Sequence, residues 1–382
     1  MRPDNAPAAG GGVPAYRAID TGVAAEEQSA MVPAERVLAV DVGAGTQDIL
    51  LWESDRSYEN CVQLVLPSQT QIVAGRIRRQ TAARRAVYLT GALMGGGASS
   101  EAVAEHLAAG LAVYASPVAA KTLHDNPRRV EALGVRIVAE QPPGAVPIVM
   151  GDLDPAALGQ ALSLFDVALP ARFAVAVFDH GESLELSNRR FRFQHLRRLI
   201  EAGGDLGGMV YGDDLPPYLT RMAAARAALP GATVMDTGAA GIWGALEDPL
   251  VAGRASEGAT LVNIGNMHTF AVLLRGRRML GLFEHHTHLL TTERLRELVE
   301  ALRAGTLDFE EVFAEDGHGA IVHPDYRPAP AFDFVAVTGP NRALARPLGW
   351  YEAVPHGDMM LAGPFGLIAA TRARASGDGA GK

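Results

Sequence analysis

The sequence predicts an α/β fold built from two related halves, on three observations. Short apolar runs alternate with stretches of helical periodicity, the pattern of layered strands and helices. The segments 37–52 and 259–274 each read as strand, small-residue turn and strand, which points to an internal duplication. The length, 382 residues, is more than one ordinary core holds and predicts two domains.

The elements follow in order. Residues 1–33 have no apolar periodicity and lack the apolar stretch of a signal peptide, so they read as a disordered leader, with Met31 expected to be the biological start. The first strand is 37–42, apolar on both faces until Asp41, followed by the turn 43–46 and the apolar run 49–52, a hairpin rather than a strand-to-helix crossover. VYLTG at 87–91 is a strand that enters the loop Met94-Gly95-Gly96-Gly97 and a helix over 99–111. VRIVAE, VPIVMGD and FAVAVFDHG are three more strands. After the second hairpin come an amphipathic helix over 292–304, a strand over 332–339 and a final helix around 365–370. From residue 373 onward the chain reads as a disordered tail.

Composition narrows the function. The formal charge is −9 with no dominant basic block, and the densest group (Arg76, Arg78, Arg79, Arg84, Arg85) reads as a solvated helix face, so nucleic acid is not expected. No apolar run reaches the roughly 18 residues that a bilayer span needs, so no membrane partner is expected. The single cysteine, Cys61, excludes an intramolecular disulfide framework or an iron–sulfur site built from several cysteines of this chain. It fits a reducing, cytoplasmic setting.

The chemistry concentrates in the two hairpin turns. In Asp41-Val42-Gly43-Ala44-Gly45-Thr46 the glycines let backbone N–H groups approach an anion, and the Thr46 hydroxyl adds a donor. Asp41 ends a buried strand, where it can hold Mg²⁺ directly or through water. A tight hairpin turn with no ligand is the other reading of the same residues. The second turn, Asn263-Ile264-Gly265-Asn266-Met267-His268-Thr269, repeats the arrangement of polar residue, glycine and hydroxyl. Facing one another, two such turns could clamp the phosphates of a nucleotide.

At these residues the sequence resembles the actin, Hsp70 and sugar-kinase superfamily, the actin-like ATPases. Residues 41–51 look like its first phosphate motif, D-x-G-x-G-T, and 263–269 like its second, usually D-x-G-x-x-x-T. The Ala- and Gly-rich stretch 236–245 is similar to its connect-1 helix, 335–342 to its adenosine motif, and 361–370 to connect 2. The strings YLTGALMGGG, VFDHGES, VNIGNMHTF, GLFEHHT, VTGPNR and PHGDMMLAGPFG resemble more closely a branch labelled "pyruvate formate-lyase activating enzyme related". That label implies a radical S-adenosylmethionine enzyme with three cluster cysteines, and Cys61 alone contradicts it.

The resemblance implies duplicated actin-like (ribonuclease H-like) domains around a nucleotide cleft, a first lobe over 34–245 and a second over 246–372. It implies ATP and Mg²⁺ as ligands, with Asp41 on the metal. Asp41, Gly43, Gly45 and Thr46 then face Asn263, Gly265, His268 and Thr269 across the phosphates, with Gly339, Asn341 and Arg342 near the adenosine. Asn263 replaces the second motif's Asp, which puts fast hydrolysis in doubt more than binding. By the superfamily's habit Asp179 is the first candidate for general base and His180 the second. Asp179 reads equally as the cap of the turn that follows it.

Other polar residues carry weaker signals. In Glu284-His285-His286-Thr287-His288, adjacent histidines diverge, and only His286 and His288 would share a strand face. With no second cluster in view, they read as surface or substrate-contact histidines rather than a zinc site. Asp358 reads as the cap of the last helix, the 94–97 loop as an anion or substrate loop or a flexible turn, and Lys121 as a surface or phosphate-pairing residue. The sequence thus predicts a Mg-ATP-dependent phosphotransferase or ATPase of unnamed acceptor. A nucleotide-dependent switch with a protein partner and a member that has lost nucleotide binding stand as alternatives.

Overall fold

The structure is a computed structural model and describes residues 34–377. The leader, and with it the expectation for Met31, lies outside the described residues.

The strands are β1 Arg36–Val42, β2 Thr46–Glu53, β3 Val62–Pro67, β4 Val87–Gly91, β5 Val113–Ala115, β6 Arg136–Ile137, β7 Val146–Met150 and β8 Arg172–Val177. There follow β9 Val210–Tyr211, β10 Thr233–Asp236, β11 Ala259–Ile264, β12 His268–Arg275, β13 Arg278–His286, β14 Gly319–Val322, β15 Val335–Thr338 and β16 Tyr351–Glu352. They form three sheets, in the orders β3-β2-β1-β8-β10-β9, β14-β13-β12-β11-β15-β16 and β6-β5-β4-β7. In the first, β1, β2 and β3 run antiparallel while β8 and β10 continue parallel to β1. The second has the same sense, with β11, β12 and β13 antiparallel and β15 and β16 parallel to β11. The third is all parallel and contains the strands at 87–91 and 146–150, so these do not extend a neighbouring layer but make a sheet of their own.

Period-two alternation explains why β1 and β11 are central. Val37 and Ala39 point into one core, Leu38, Val40 and Val42 into another. Ala259 and Leu261 join the core that holds Val37 and Ala39, while Val262 and Ile264 turn to a separate one. The shared core also takes residues from the helices Thr237–Ala245 and Ala362–Ala375. These two helices cross where Gly366 meets the Ala240 carbonyl and the Gly244 nitrogen, and a Cβ on Gly366 would collide with both.

Local signals set several boundaries. The helix Thr292–Ala304 begins where Thr291 Oγ1 accepts the Arg294 N–H at 3.2 Å and ends at Gly305 in the left-handed region, φ 72°. The helix expected at 99–111 spans Gly97–Ala108. The strand expected at 332–339 keeps only Val335–Thr338, because the preceding Pro330–Asp333 forms a 3₁₀ turn. The last helix reaches Ala375, into the expected tail, and it packs on β1, β2 and β8 of the first sheet although its sequence position suggested the second lobe. Asp358 is not its cap: Asp358 Oδ1 accepts the Met360 N–H at 2.8 Å in the turn before, and Leu361 holds the N-cap position. Among the described residues no helix is long and apolar enough to cross a membrane.

Candidate functional site

The β1–β2 and β11–β12 turns have the same construction. Gly43 N–H donates to Thr46 O at 2.9 Å, and Gly265 N–H donates to His268 O at 2.9 Å. Each turn is also braced from behind. Ser68 Oγ and Gln71 Nε2 donate to the Ala44 carbonyl at 3.0 and 3.2 Å, and Asn341 Nδ2 donates to the Gly265 carbonyl at 2.9 Å. A trans peptide sets its N–H opposite its C=O, so these braces turn the N–H groups of Gly45 and Asn266 away from their supports. The turns approach one another: a Cβ on Gly45 would stand 3.1 Å from Asn266 Nδ2.

Both turns line a cavity of about 320 Å³. Asp41 enters it from the end of β1, held by the Thr237 hydroxyl, which donates to Oδ1 at 2.6 Å. Its strand partner is Asp48, a second cavity carboxylate. Two carboxylates opposite one another on paired strands repel. Burial, with Asp48 and Asp236 nearby, pushes Asp41 up to about 8, and burial with Asp358 nearby pushes Asp48 up to about 6. The corresponding β11 position is Asn263, packed against Gly241 as Asp41 is packed against Gly363.

Behind the turns lies a buried ion cluster, of which Arg192 and Glu284 line the cavity. Arg192 donates from Nε to Glu284 Oε2 at 2.7 Å, and from one terminal nitrogen to Asp236 Oδ2 at 2.8 Å and the Asp179 carbonyl at 2.9 Å. Asp236 in turn accepts the Gly238 N–H at 2.9 Å and caps the helix Thr237–Ala245. One guanidinium thereby ties β13 of the second sheet to the ends of β8 and β10 of the first. Burial pushes Glu284 up to about 7 against the pull of Arg192. A second arginine, Arg221, holds Asp152 through two nitrogens at 2.7 and 2.8 Å and donates to the Phe178 carbonyl at 2.6 Å. Asp152 also accepts the Gly95 N–H at 3.1 Å, which fixes the 94–97 loop against the same cavity.

Four histidines gather on the other wall. His268 opens β12 and pairs in register with His286 at the end of β13, while His318 precedes β14 and donates its N–H to the Glu284 carbonyl at 2.9 Å. The ring centroids of His268, His286 and His318 lie 4.7 to 5.0 Å apart. His180 Nε2 is 3.4 Å from His318 Nε2, and Phe178 stacks on His268 at 4.0 Å. Burial depresses all four imidazoles, His180 to about 3 and His286 to about 4. Thus His286 clusters with His268 and His318, whereas His288 is exposed in the turn that follows; a pairing across strands is invisible to the spacing along one strand.

Of the expected residues, Asp41, Gly43, Thr46, Asn263, Gly265, His268, His180 and Gly339 line the cavity. The others serve the walls. Gly45 gives its carbonyl to Ser68 N at 3.1 Å, and Thr269 Oγ1 lies buried 3.0 Å from Thr287 Oγ1. Asn341 braces the second turn, and Arg342 donates to Glu352 at 3.1 Å. Asp179 is a correction in kind: its oxygens accept the Gly181 and Met222 N–H groups at 2.8 and 2.9 Å, so it caps a turn and does not line the cavity. Lys121 is likewise absent from the lining and pairs with Glu182 at 2.8 Å. Sequence reasoning missed Asp48, Arg192, Glu284 and His318. Asp48 alone carried a readable signal, because hairpin register places it opposite Asp41.

Among solved structures the chain is similar to the Aquifex aeolicus PPX-GPPA enzyme, with 9% identity over 81% of this chain and 69% of that one, TM-score 0.29. A second Aquifex aeolicus member of the Ppx/GppA family matches with 10% identity over 89% and 90% of the two chains, TM-score 0.28. A "putative sugar kinase" from Cytophaga hutchinsonii matches with 10% identity over 89% and 100%, TM-score 0.28. No curated protein matches the chain. A family profile matches residues 94–344, more than half of the chain, and takes in the Met94 loop, the second hairpin and the His-rich wall. The chain therefore belongs to the family described as "Putative pyruvate format-lyase activating enzyme (DUF1786)".

Proposed function

We propose that the cavity binds ATP with Mg²⁺ in the cytoplasm, and that the chain is an ATP-dependent phosphotransferase or ATPase built from two copies of one actin-like unit. The observation that carries this reading is the pair of identically bonded glycine turns, Gly43 to Thr46 and Gly265 to His268, opening on one cavity. The residues present suit the ligand. The N–H of Asn266, which lines the cavity and is turned from its brace, would meet phosphate oxygens. Asp41 and Asp48 would hold Mg²⁺, and the unpartnered Asp48 Oδ1 is an oxygen such a cation takes. The cation would neutralise charge on the phosphates. Gly339 and Pro340, lining the cavity beyond β15, would border the nucleoside. With Asp179 committed to two backbone amides, His180, which lines the cavity, is the second candidate for the base.

The same commitment of Asp179, together with the uncharged Asn263, favours a second reading: a nucleotide-dependent switch with little turnover, acting on a protein partner. The activity named in the family description is not proposed, since Cys61 cannot supply a cluster that needs three thiolates. Isothermal titration of the protein with ATP and Mg²⁺, beside Asp41→Ala, tests the proposal. Micromolar binding that is lost in the variant is expected, and release of ADP with or without an acceptor then separates enzyme from switch. Absence of binding to the folded protein would overturn both readings.

A further inference from the structure

We propose that His268, His286 and His318 form a binding site for a divalent transition metal of the zinc class, separate from the carboxylates Asp41 and Asp48 and independent of any nucleotide. The three side chains come from different places in the chain and converge because β12, β13 and β14 are neighbours in one sheet. One nitrogen from each ring lies within 4.8 Å of the others. A tetrahedral zinc with nitrogens at about 2.1 Å needs them about 3.4 Å apart, an adjustment that side-chain rotation supplies.

Second, two of the ring nitrogens lack a partner, while His318 Nε2 has one in His180 Nε2 at 3.4 Å. His286 Nδ1 and His318 Nδ1 are buried without a hydrogen bond, and so is Glu284 Oε1. Unpaired buried polar atoms are costly, so several in one spot call for a missing partner. His318 Nδ1 faces Glu284 Oε1 at 4.0 Å, and Glu284 is itself fixed by Arg192. A carboxylate behind one imidazole nitrogen, with the other nitrogen aimed at a common point, is how a protein orients a metal-binding histidine. Three neutral imidazoles with no thiolate suit zinc and its neighbours rather than magnesium. Three protein ligands leave a fourth position, beside His180, for a cavity ligand.

The rival explanation is a packed aromatic cluster, for which the Phe178–His268 stack speaks. To separate the two, the full chain is stripped with a chelator and titrated with Zn²⁺ by calorimetry and with Co²⁺ by visible absorption, in excess Mg²⁺ and without nucleotide. The expected result is one Zn²⁺ per chain and the intense bands of tetrahedral, nitrogen-ligated Co²⁺. His286→Asn, a polar replacement at a half-buried position, should weaken Zn²⁺ by more than about a hundredfold, since even outer-sphere partners of metal ligands contribute ten- to a hundredfold. His318→Ala should do the same if it folds. Exposed His288→Ala should bind as the parent does, and so should Asp41→Ala, whatever becomes of its ATP binding. Sub-stoichiometric binding, or Zn²⁺ affinity unchanged in His286→Asn, would overturn the site.

Discussion

Gly366 sits against Gly244 so closely that a Cβ on Gly366 would stand 2.5 Å from the Gly244 nitrogen. This contact joins the helices Thr237–Ala245 and Ala362–Ala375, which lie behind Asn263 and Asp41 respectively. Their separation therefore sets how far apart the two turns stand.

Gly366→Ala is expected to lower stability by about 1–3 kcal/mol, the usual cost of forcing atoms into a filled core. Thermal unfolding followed by circular dichroism checks this, and an unchanged midpoint would mean the helices can separate freely. Gly253→Ala, where a Cβ meets nothing within 4 Å in the helix Pro249–Ala255, should be neutral or stabilising.

Arg192 is the next point of failure. Replacing it by Met leaves Asp236 and Glu284 facing one another inside the protein, a loss expected to reach about 3–5 kcal/mol. Adding Glu284→Gln and Asp236→Asn to the same chain removes the stranded charges and should recover part of it. Denaturant midpoints of the single and triple variants decide the matter; a triple variant no better than the single would show that packing, not charge, was lost.

What was legible in the sequence is what short stretches of chain determine. The hairpin at Asp41 needs only a strand, two glycines and a strand, and the helix Thr292–Ala304 carries its own cap and stop. The motif-based site was readable as a neighbourhood but not residue by residue. Thr269 and Asn341 belong to the motifs, yet one packs on Thr287 and the other supports a turn. Asp179 could not be resolved because its second partner, Met222 N, lies 43 positions away. Arg192 stands in an arginine-rich helix where nothing distinguishes it from its solvated neighbours, and His318 joins its cluster only through pairing of β13 with β14. Crossing helices, too, hid the attachment of Ala362–Ala375 to the first sheet.

Asp41 predicts a pH dependence. Its carboxyl is raised from 3.8 to about 8 by burial, with Asp48 and Asp236 adding repulsion. The native state thus holds this proton more tightly than the unfolded chain does. The resulting stability is fully present below the unfolded value and is lost as pH rises through about 8. Asn cannot ionise and keeps an oxygen for the Thr237 hydroxyl. Asp41→Asn should therefore match the parent near pH 4 and exceed it increasingly up to pH 8–9, in chelator and without nucleotide. Melting curves across that range test it; a constant difference would show that Asp41 is not the titrating group.

Asn341 gives the last prediction, because it separates bracing from direct contact. Its amide donates to the Gly265 carbonyl at 2.9 Å and to Asn266 Oδ1 at 3.4 Å and does not line the cavity, so it acts on a ligand through the placement of Asn266. One neutral hydrogen bond is worth about 0.5–1.5 kcal/mol, which corresponds to roughly twofold to twelvefold in affinity. Asn341→Ala should weaken Mg-ATP by that modest factor while Asp41→Ala abolishes binding. Arg346→Ala, removing an exposed partner of Glu352 on the same loop, should leave it unchanged. Calorimetric titration of the three variants reads the order directly. Loss in Asn341→Ala as complete as in Asp41→Ala would place the Asn341 side chain on the nucleotide itself, and no loss at all would mean that the second turn keeps its shape without the brace.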